Sequence, residues 1–234
     1  MVDLIFKDRK EINNKFRSHL FSDEEKKKIT RRVFEYALNN KKRLNKTYAN
    51  PKLSDDELFT KCEQSICEEL NMVLYPTQPT TKPDTLTSIL LERLYEHDIN
   101  SRESIAKQYL EQKRTEMISG QLLELYIQRE SLDYSRDWYF SGKIIKDVDF
   151  IKKNESGWIT LQIKNSDNTE NNASSKVRNN TTIKKWVRRH SKKKDIFYWE
   201  KFPDKIFKEK LNENTYRNFI NNYYDRMIIK KVEI

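Results

Sequence analysis

The chain has 234 residues, a formal net charge of +10, and 36% hydrophobic and 12% aromatic residues. This composition is sufficient for a folded core and excludes a wholly disordered chain. The excess of lysine and arginine predicts a polyanionic partner, and nucleic acid is the commonest such partner. The chain has no run of 18 apolar residues and no export signal at its N-terminus. We therefore expect a cytoplasmic protein that has no membrane partner.

The first half of the chain has the sequence pattern of helices. Ser22 with Glu25, and Ser54 with Glu57, form two capping boxes. Each box predicts the start of a helix, because the paired side chains bind amide groups that the first turn leaves unpaired. The proline-rich run over residues 75–84 interrupts this pattern and predicts a linker.

The pattern changes from helix to strand in the second half. Asn100 and Glu103 predict the start of a helix that runs to Glu130, and from Trp138 onward apolar residues recur at every second position. This alternation predicts three strands, and a helical period returns before the C-terminus. The predicted strands and the last helix are Lys143–Ile151, Trp158–Lys164, Asp195–Phe202 and Asn212–Lys230.

The cysteine content argues against a structural zinc site. Cys62 and Cys67 lie five residues apart in a helical pattern, without a second cysteine pair, and the chain has three histidines. Structural zinc sites usually combine two pairs of cysteine or histidine ligands. We expect two reduced thiols.

Polar residues share one face of the first two predicted strands. Asp147 and Asp149 alternate with apolar residues before the glycine turn, and Gln162 and Lys164 do so after it. A symmetric hairpin through Asn154-Glu155-Ser156-Gly157 would set Asp149 opposite Gln162 and Asp147 opposite Lys164. A turn centred on Ser156-Gly157 would set Asp149 opposite Lys164. Either register brings an acid, an amide and an amine together.

These three groups suit metal-assisted hydrolysis of a phosphodiester. Asp149 and the amide oxygen of Gln162 are ligands for a hard cation such as Mg²⁺, and Lys164 can orient water and stabilise phosphate charge. The spacing resembles the PD-(D/E)XK nuclease motif, with Gln162 in place of the usual acid. Glu124, an acid on an otherwise largely apolar helix, is a candidate for a further ligand, although a solvated stripe would also explain it. Asp147 is the alternative to Asp149 as the main ligand, or a supporting acid.

A basic segment follows this hairpin. Nine lysines and arginines and no acid lie between Lys176 and Lys194. Trp186 and Val187 are interleaved with these basic residues, which favours a docked helix over a solvated tail. Asparagine and arginine can read base edges, whereas lysine and arginine bind phosphate.

Residues 117–200 resemble type II restriction endonucleases of the SinI kind. The resemblance rests on "SGQLLELYI" and on "GKIIKDVDFIKKNESGWITLQIKNSDNTENNASSKVRNNTTIKKWVRR", in which an Asp-Phe-Ile strand leads to Gln-any-Lys-Asn. It implies an α+β fold with a mixed, PD-(D/E)XK-like sheet flanked by helices over residues 111–234. Residues 1–110 form a helical region for which DNA binding or dimerisation is the expected role.

The resemblance also implies an activity and its partners. These are Mg²⁺-dependent cleavage of double-stranded DNA at a short palindromic site, a homodimer, and a cognate DNA methyltransferase as the genetic partner. The catalytic and metal set would be Asp149, Gln162, Lys164, Glu124 and Asp147. The DNA-binding set would be Asn165, Asn168, Asn171, Asn172, Arg178, Lys184, Lys185, Arg188 and Arg189.

Two other functions fit the same residues. A repair or junction nuclease of the same fold would use the same acids and lysine. A DNA-binding module without catalysis would have the basic segment, and the neutral Gln162 favours this alternative. The pair Asp147 and Asp149 opposes it, because carboxylates beside a basic groove do not help to bind phosphate.

Overall fold

The computed structural model of the chain describes residues 20–72, 99–167 and 182–232. The helices are α1 (Asp23–Asn39), α2 (Asp55–Asn71), α3 (Ile99–Asp133) and α4 (Glu213–Val232). The strands are β1 (Tyr139–Phe140), β2 (Phe150–Asn154), β3 (Gly157–Ser166) and β4 (Lys184–Arg189). Short 3₁₀ turns occupy Lys41–Arg43, Trp199–Lys201 and Phe207–Glu209.

The chain forms two compact units. One comprises Met1–Arg17 and Val73–Gln121, and of it the structure describes the first part of α3. The other comprises Ser18–Met72 and Leu122–Ile234 and contains the whole sheet. None of the helices in the described part of the chain has an apolar stretch that could cross a bilayer.

Local capping fixes the starts of α1 and α2, as predicted. The hydroxyl oxygen of Ser22 accepts from the Glu25 amide, and the Glu25 carboxylate accepts from the Ser22 amide. Ser54 and Glu57 repeat this reciprocal pair at α2. The predicted third and last helices are also present as α3 and α4, whereas the predicted linker over residues 75–84 lies outside the described residues.

The four strands form one mixed sheet in the order β1-β2-β3-β4. β1, β2 and β3 are antiparallel neighbours, and β4 is parallel to β3. In the hairpin, Asn154 pairs with Gly157 and Phe150 pairs with Leu161. This is the symmetric register, and the tight turn is aided by the positive φ of 123° at Gly157. The predicted α+β class with helices flanking a mixed sheet is confirmed.

Packed aromatic side chains cover both faces of the sheet. On one face, α1 contacts the hairpin: the ring of Tyr36 packs edge-on against Trp158 at 5.3 Å, and Glu35 pairs with Lys153. On the other face, Trp186 of β4 packs against Trp199 and Phe202. Burial of these large aromatic surfaces stabilises the packing on both faces of the sheet.

Three strand and helix predictions are wrong. The strand predicted over Lys143–Ile151 begins only at Phe150, because residues 141–148 form turns. The segment Asp195–Phe202 has a single bridge, from Phe197 to Arg189, and then a 3₁₀ turn. The basic segment with Trp186 and Val187 is the strand β4 and not a helix, because it pairs with β3.

Candidate active site

Asp149 lies where the chain enters β2. Its amide donates to the Leu161 carbonyl at 2.9 Å, and its own carbonyl accepts from the Ser141 amide at 2.9 Å. Its carboxylate Oδ2 accepts from the amide of Ile163 at 2.6 Å. The carboxylate is therefore held against β3 at the peptide that follows Gln162 and precedes Lys164.

Gln162 and Lys164 occupy alternate positions in the second half of β3 and share one face of the sheet. The side chain of Gln162 is buried, and that of Lys164 is half-buried. The hairpin register continues from the pair Phe150–Leu161 toward Asp149 and Gln162. In the parallel pair with β4, Gln162 is opposite Lys185, so Lys185 borders the same face.

Burial and neighbouring charges shift the pKa values of two acids at this site, Asp149 and Glu124. Burial raises the pKa of Asp149 to about 6, although the hydrogen bond from Ile163 and the positive charge of Lys164 oppose the rise. Burial also raises the pKa of Glu124 well above its usual range, and the negative charges of Asp149 and Glu69 add to this effect. Lys164 opposes it. The predicted acids, amide and lysine are thus neighbours, although Glu124 and Asp149 are about 25 residues apart in the sequence.

Asp147 lies in the turn before Asp149, not in a strand. Its φ is 58°, in the left-handed region, and its carboxylate Oδ2 is buried without a hydrogen-bond partner. The negative charge of Asp147 raises the pKa of Asp149, so the two carboxylates are close. A buried, unpartnered carboxylate oxygen is unfavourable unless a positive charge compensates it.

This donor set fits a hard divalent cation. Burial and neighbouring negative charges raise the pKa values of Asp149 and Glu124. Asp147 adds a buried carboxylate oxygen without a hydrogen-bond partner, and the amide of Gln162 offers a neutral oxygen. Across the residues that the structure describes, no three histidine, cysteine or acidic side chains converge into a ready-made metal cage. Mg²⁺ commonly binds through one or two carboxylates and retains water or substrate oxygens, so it does not need such a cage.

Sequence patterns did not indicate Glu69. This residue of α2 accepts a hydrogen bond at 3.0 Å from the amide of Lys143, which lies 74 residues away. Its charge also acts on Glu124. A contact between residues so far apart in the chain cannot be inferred from local sequence patterns. In the sequence, Glu69 looks like any other acid on a helix.

The predicted DNA-binding residues fall into two groups. Asn168, Asn171, Asn172 and Arg178 lie outside the described residues. Lys184 is exposed at the start of β4, Lys185 and Arg189 are half-buried on that strand, and Asn165 is half-buried at the end of β3.

The structure corrects the assignment of Arg188 to the DNA-binding set. Its guanidinium Nη1 donates to both carboxylate oxygens of Glu213, at 2.7 and 2.6 Å, and Nε donates to the Asn165 side chain at 2.8 Å. The Arg188 side chain is 9% exposed. The structure therefore does not support a phosphate contact through Arg188, because its donors are directed into the protein.

Comparison with known proteins identifies the family of this chain. A sequence model of the SinI restriction endonuclease family matches residues 17–226. This chain belongs to that family. The match includes α1 and α2, so the family extends beyond residues 117–200, which carried the sequence resemblance.

Two type II restriction enzymes are similar in sequence to this chain. The type II restriction enzyme Eco47I of Escherichia coli is 43% identical over 155 residues, which are 65% of this chain and 66% of the relative. The type II restriction enzyme SinI of Salmonella infantis is 40% identical over 150 residues, which are 63% of this chain and 64% of the relative. The alignments thus span slightly less than two thirds of either relative.

Proposed function

We propose that this chain is a type II restriction endonuclease that hydrolyses phosphodiester bonds of double-stranded DNA at a short palindromic site. Membership of the SinI restriction endonuclease family supports the reaction class. The observation that carries the proposal is the convergence of Asp149, Gln162 and Lys164 at one end of the β2–β3 hairpin, with Glu124 beside them. This is the arrangement expected of a PD-(D/E)XK nuclease whose second acid is replaced by glutamine.

Mg²⁺ is the proposed cofactor. Asp149 and Gln162 would hold it, with Asp147 and Glu124 as additional oxygen ligands. When bound, the ion supplies positive charge that stabilises phosphate oxygens and acidifies water. The partnerless oxygen of Asp147 and the raised pKa values of Asp149 and Glu124 support this assignment, because each indicates an uncompensated need for positive charge.

The protein's own groups then orient the reactants. The amide of Ile163 fixes one oxygen of Asp149 at 2.6 Å, so the carboxylate does not have to be ordered during the reaction. Lys164 carries a positive charge on the adjacent strand position. Its ammonium group can donate hydrogen bonds to the attacking water and to a phosphate oxygen on which charge develops.

The basic strand β4 provides the proposed DNA contacts beside this site. Lys185 lies opposite Gln162 and Arg189 lies opposite Ser166, so both follow the strand that carries Lys164. Together with the exposed Lys184, they would bind phosphates, whereas the asparagines and arginine of residues 168–178 would read the bases. The Asn165 side chain accepts from the buried Arg188, so base reading is not proposed for it. The formal charge of +10 favours association with any duplex before the specific site is found.

We further propose a homodimer in the cytoplasm, with a DNA methyltransferase as genetic partner. A palindromic site has two-fold symmetry, and two copies of one chain related by a two-fold axis can cut both strands in the same way. An endonuclease of this kind needs its host sites modified, and a methyltransferase provides that protection.

Digestion of plasmid DNA with the purified chain tests this function. In Mg²⁺ we expect a small set of discrete fragments that are the same on every repeat, and no cleavage in EDTA. A smear or cleavage at branched substrates alone would favour a repair or junction nuclease. Retarded but intact DNA in Mg²⁺ would favour a binding module, and either result would overturn the proposal.

A further inference from the structure

Residues 141–148, here named the acid turn, join β1 to β2 and contain Asp147. Two of these residues adopt left-handed backbone conformations: φ is 52° at Gly142 and 58° at Asp147. A non-glycine residue in this region is strained by about 1 kcal/mol or more and persists only where its surroundings hold it. The contacts that hold the acid turn therefore decide the positions of Asp147 and of Asp149, which follows it.

Asn45 and Glu69, which belong to two segments in the first part of the chain, form hydrogen bonds with the acid turn. The side chain of Asn45 donates to the Lys143 carbonyl at 2.5 Å, and the Asn45 amide donates to the Ile144 carbonyl at 3.0 Å. Lys143 is also held by Glu69 of α2, whose Oε1 accepts a hydrogen bond from the Lys143 amide at 3.0 Å. Both peptide groups of Lys143 are thus bound by residues more than 70 positions earlier.

Glu69 is itself fixed and fits closely against the acid turn. Its Oε1 also accepts from the hydroxyl of Ser65, one helical turn earlier, at 3.1 Å. A Cβ atom placed on Gly142 would lie 2.6 Å from this oxygen. The glycine is therefore required both for its positive φ and for the approach of the carboxylate.

We propose that Glu69 is a positioning residue of the catalytic centre, which holds the acid turn through the Lys143 amide so that Asp147 and Asp149 face β3. This inference rests on the proposed nuclease function and deepens it. The role needs a hydrogen-bond acceptor at Oε1 and not a negative charge. It therefore differs from the role of a metal ligand, and the two can be separated by experiment.

The distinguishing variants are Glu69→Gln and Glu69→Ala. Glutamine retains an oxygen that can accept from Lys143 and Ser65 but removes the charge, whereas alanine removes the acceptor. The matched control is Glu68→Ala, because Glu68 is an exposed acid one residue earlier on α2. The measurements are the single-turnover cleavage rate of a plasmid, the Mg²⁺ concentration for half-maximal rate, and the affinity for the same DNA in EDTA.

We expect Glu69→Ala to lower the cleavage rate by about 10- to 100-fold and to raise the Mg²⁺ requirement, as is usual when a group that orients metal ligands is lost. Its DNA affinity in EDTA should equal that of the wild type. Glu69→Gln should retain most of the cleavage rate that Glu69→Ala loses, and Glu68→Ala should cleave like the wild type. Wild-type rates for Glu69→Ala, or equal losses for the glutamine and alanine variants, would each overturn the positioning role.

Gly142→Ala provides an independent test if Glu69→Ala does not fold. Its methyl group would displace the Glu69 carboxylate, so the same loss of rate and rise in Mg²⁺ requirement are expected. Wild-type cleavage by this variant would contradict the inference. If the wild-type chain itself cleaves no DNA, the nuclease function fails, whereas a cleaving wild type with unaffected variants refutes the role of Glu69 alone.

Discussion

Replacement of Lys164 should impair DNA cleavage without weakening DNA binding. Its positive charge acts on Asp149 and Glu124, whereas the proposed phosphate contacts lie on β4. We therefore expect Lys164→Ala to reduce plasmid cleavage by about 100- to 10,000-fold, the range typical of a lost proton-transfer or charge-stabilising group. Its affinity for the same DNA should change little, as measured by fluorescence anisotropy in EDTA.

Lys153→Ala is the control for this variant. Lys153 also belongs to the hairpin, but it lies toward the turn and pairs with Glu35 of α1. Its removal should leave the cleavage rate unchanged. A Lys164→Ala protein that cuts at the wild-type rate would refute the catalytic assignment.

Asp149 should destabilise the metal-free protein at neutral pH. Its pKa is raised from 3.8 to about 6, so between these values the folded state binds more protons than the unfolded state. Stability then falls as pH rises through this window, and the loss persists above pH 6. The difference corresponds to about 3 kcal/mol. Asp149→Asn removes this loss and retains an acceptor for the Ile163 amide.

Thermal unfolding in EDTA between pH 4 and pH 8 checks this prediction. Asp149→Asn should melt at a higher temperature than the wild type at pH 8, and the difference should shrink toward pH 4. Mg²⁺ should stabilise the wild type more than the variant, because a ligand that binds the native state raises its stability. Glu155→Gln, at the exposed hairpin turn, is the control. A variant less stable than the wild type at pH 8 would contradict the charge argument.

At the scale of elements, Arg188 joins β4 to the start of α4. Its guanidinium pairs with Glu213, the first residue of α4, and lies 5.5 and 5.2 Å from the ring centroids of Phe197 and Tyr216. Removal of one partner of a buried ion pair typically costs about 3–5 kcal/mol when the other charge is left uncompensated. Glu213 retains contacts with Arg217 and the Trp199 indole. We therefore expect Arg188→Ala to lower the free energy of unfolding by an amount toward the lower end of this range in urea denaturation.

Arg189 is the matched neighbour of Arg188. Its side chain is on the opposite face of β4, so Arg189→Ala should leave stability nearly unchanged. It should weaken binding to all duplexes and reduce the salt dependence of affinity by about one unit of log–log slope. A stable Arg188→Ala protein with the reduced slope would reverse these assignments.

Local hydrogen bonds explain which elements were predictable from sequence. The capping pairs at Ser22 and Ser54 join residues three apart, so their pattern suffices to locate the starts of α1 and α2. The hairpin register follows from alternation on both sides of a glycine turn. The neighbourhood of Asp149, Gln162 and Lys164 could be predicted for this reason, because all three belong to one hairpin.

Tertiary pairing explains the errors. Lys184–Arg189 is six residues long, and a short apolar and basic run is ambiguous between helix and strand. Pairing with β3 and packing of Trp186 against Trp199 make it a strand. Residues 143–148 alternate like a strand, but their peptide groups bind Arg43, Asn45 and Glu69, and these partners cannot be inferred from local spacing.

At the scale of the whole molecule, the first helices and the sheet form one compact unit. Ser18–Met72 groups with Leu122–Ile234, although sequence composition suggested a separate helical half to residue 110. The family match over residues 17–226 includes Ser18–Met72 and most of Leu122–Ile234, and it also includes residues 73–121. Composition separates segments that differ in secondary structure, but the hydrogen bonds of Asn45 and Glu69 to the acid turn show that such segments can be in direct contact.

The proposed homodimer makes a prediction about how the two DNA strands are cut. If each subunit cleaves one strand, a dimer with one Lys164→Ala subunit can nick a plasmid that has a single site but cannot linearise it in one binding event. Wild-type chains should therefore be unfolded and refolded together with an excess of Lys164→Ala chains. We expect open-circular plasmid to accumulate when this mixture digests the DNA. Wild-type chain refolded alone, at the same active-subunit concentration, should yield linear DNA. Linear product without a nicked intermediate from the mixture would show that one chain cuts both strands, and the two-fold arrangement would then be wrong.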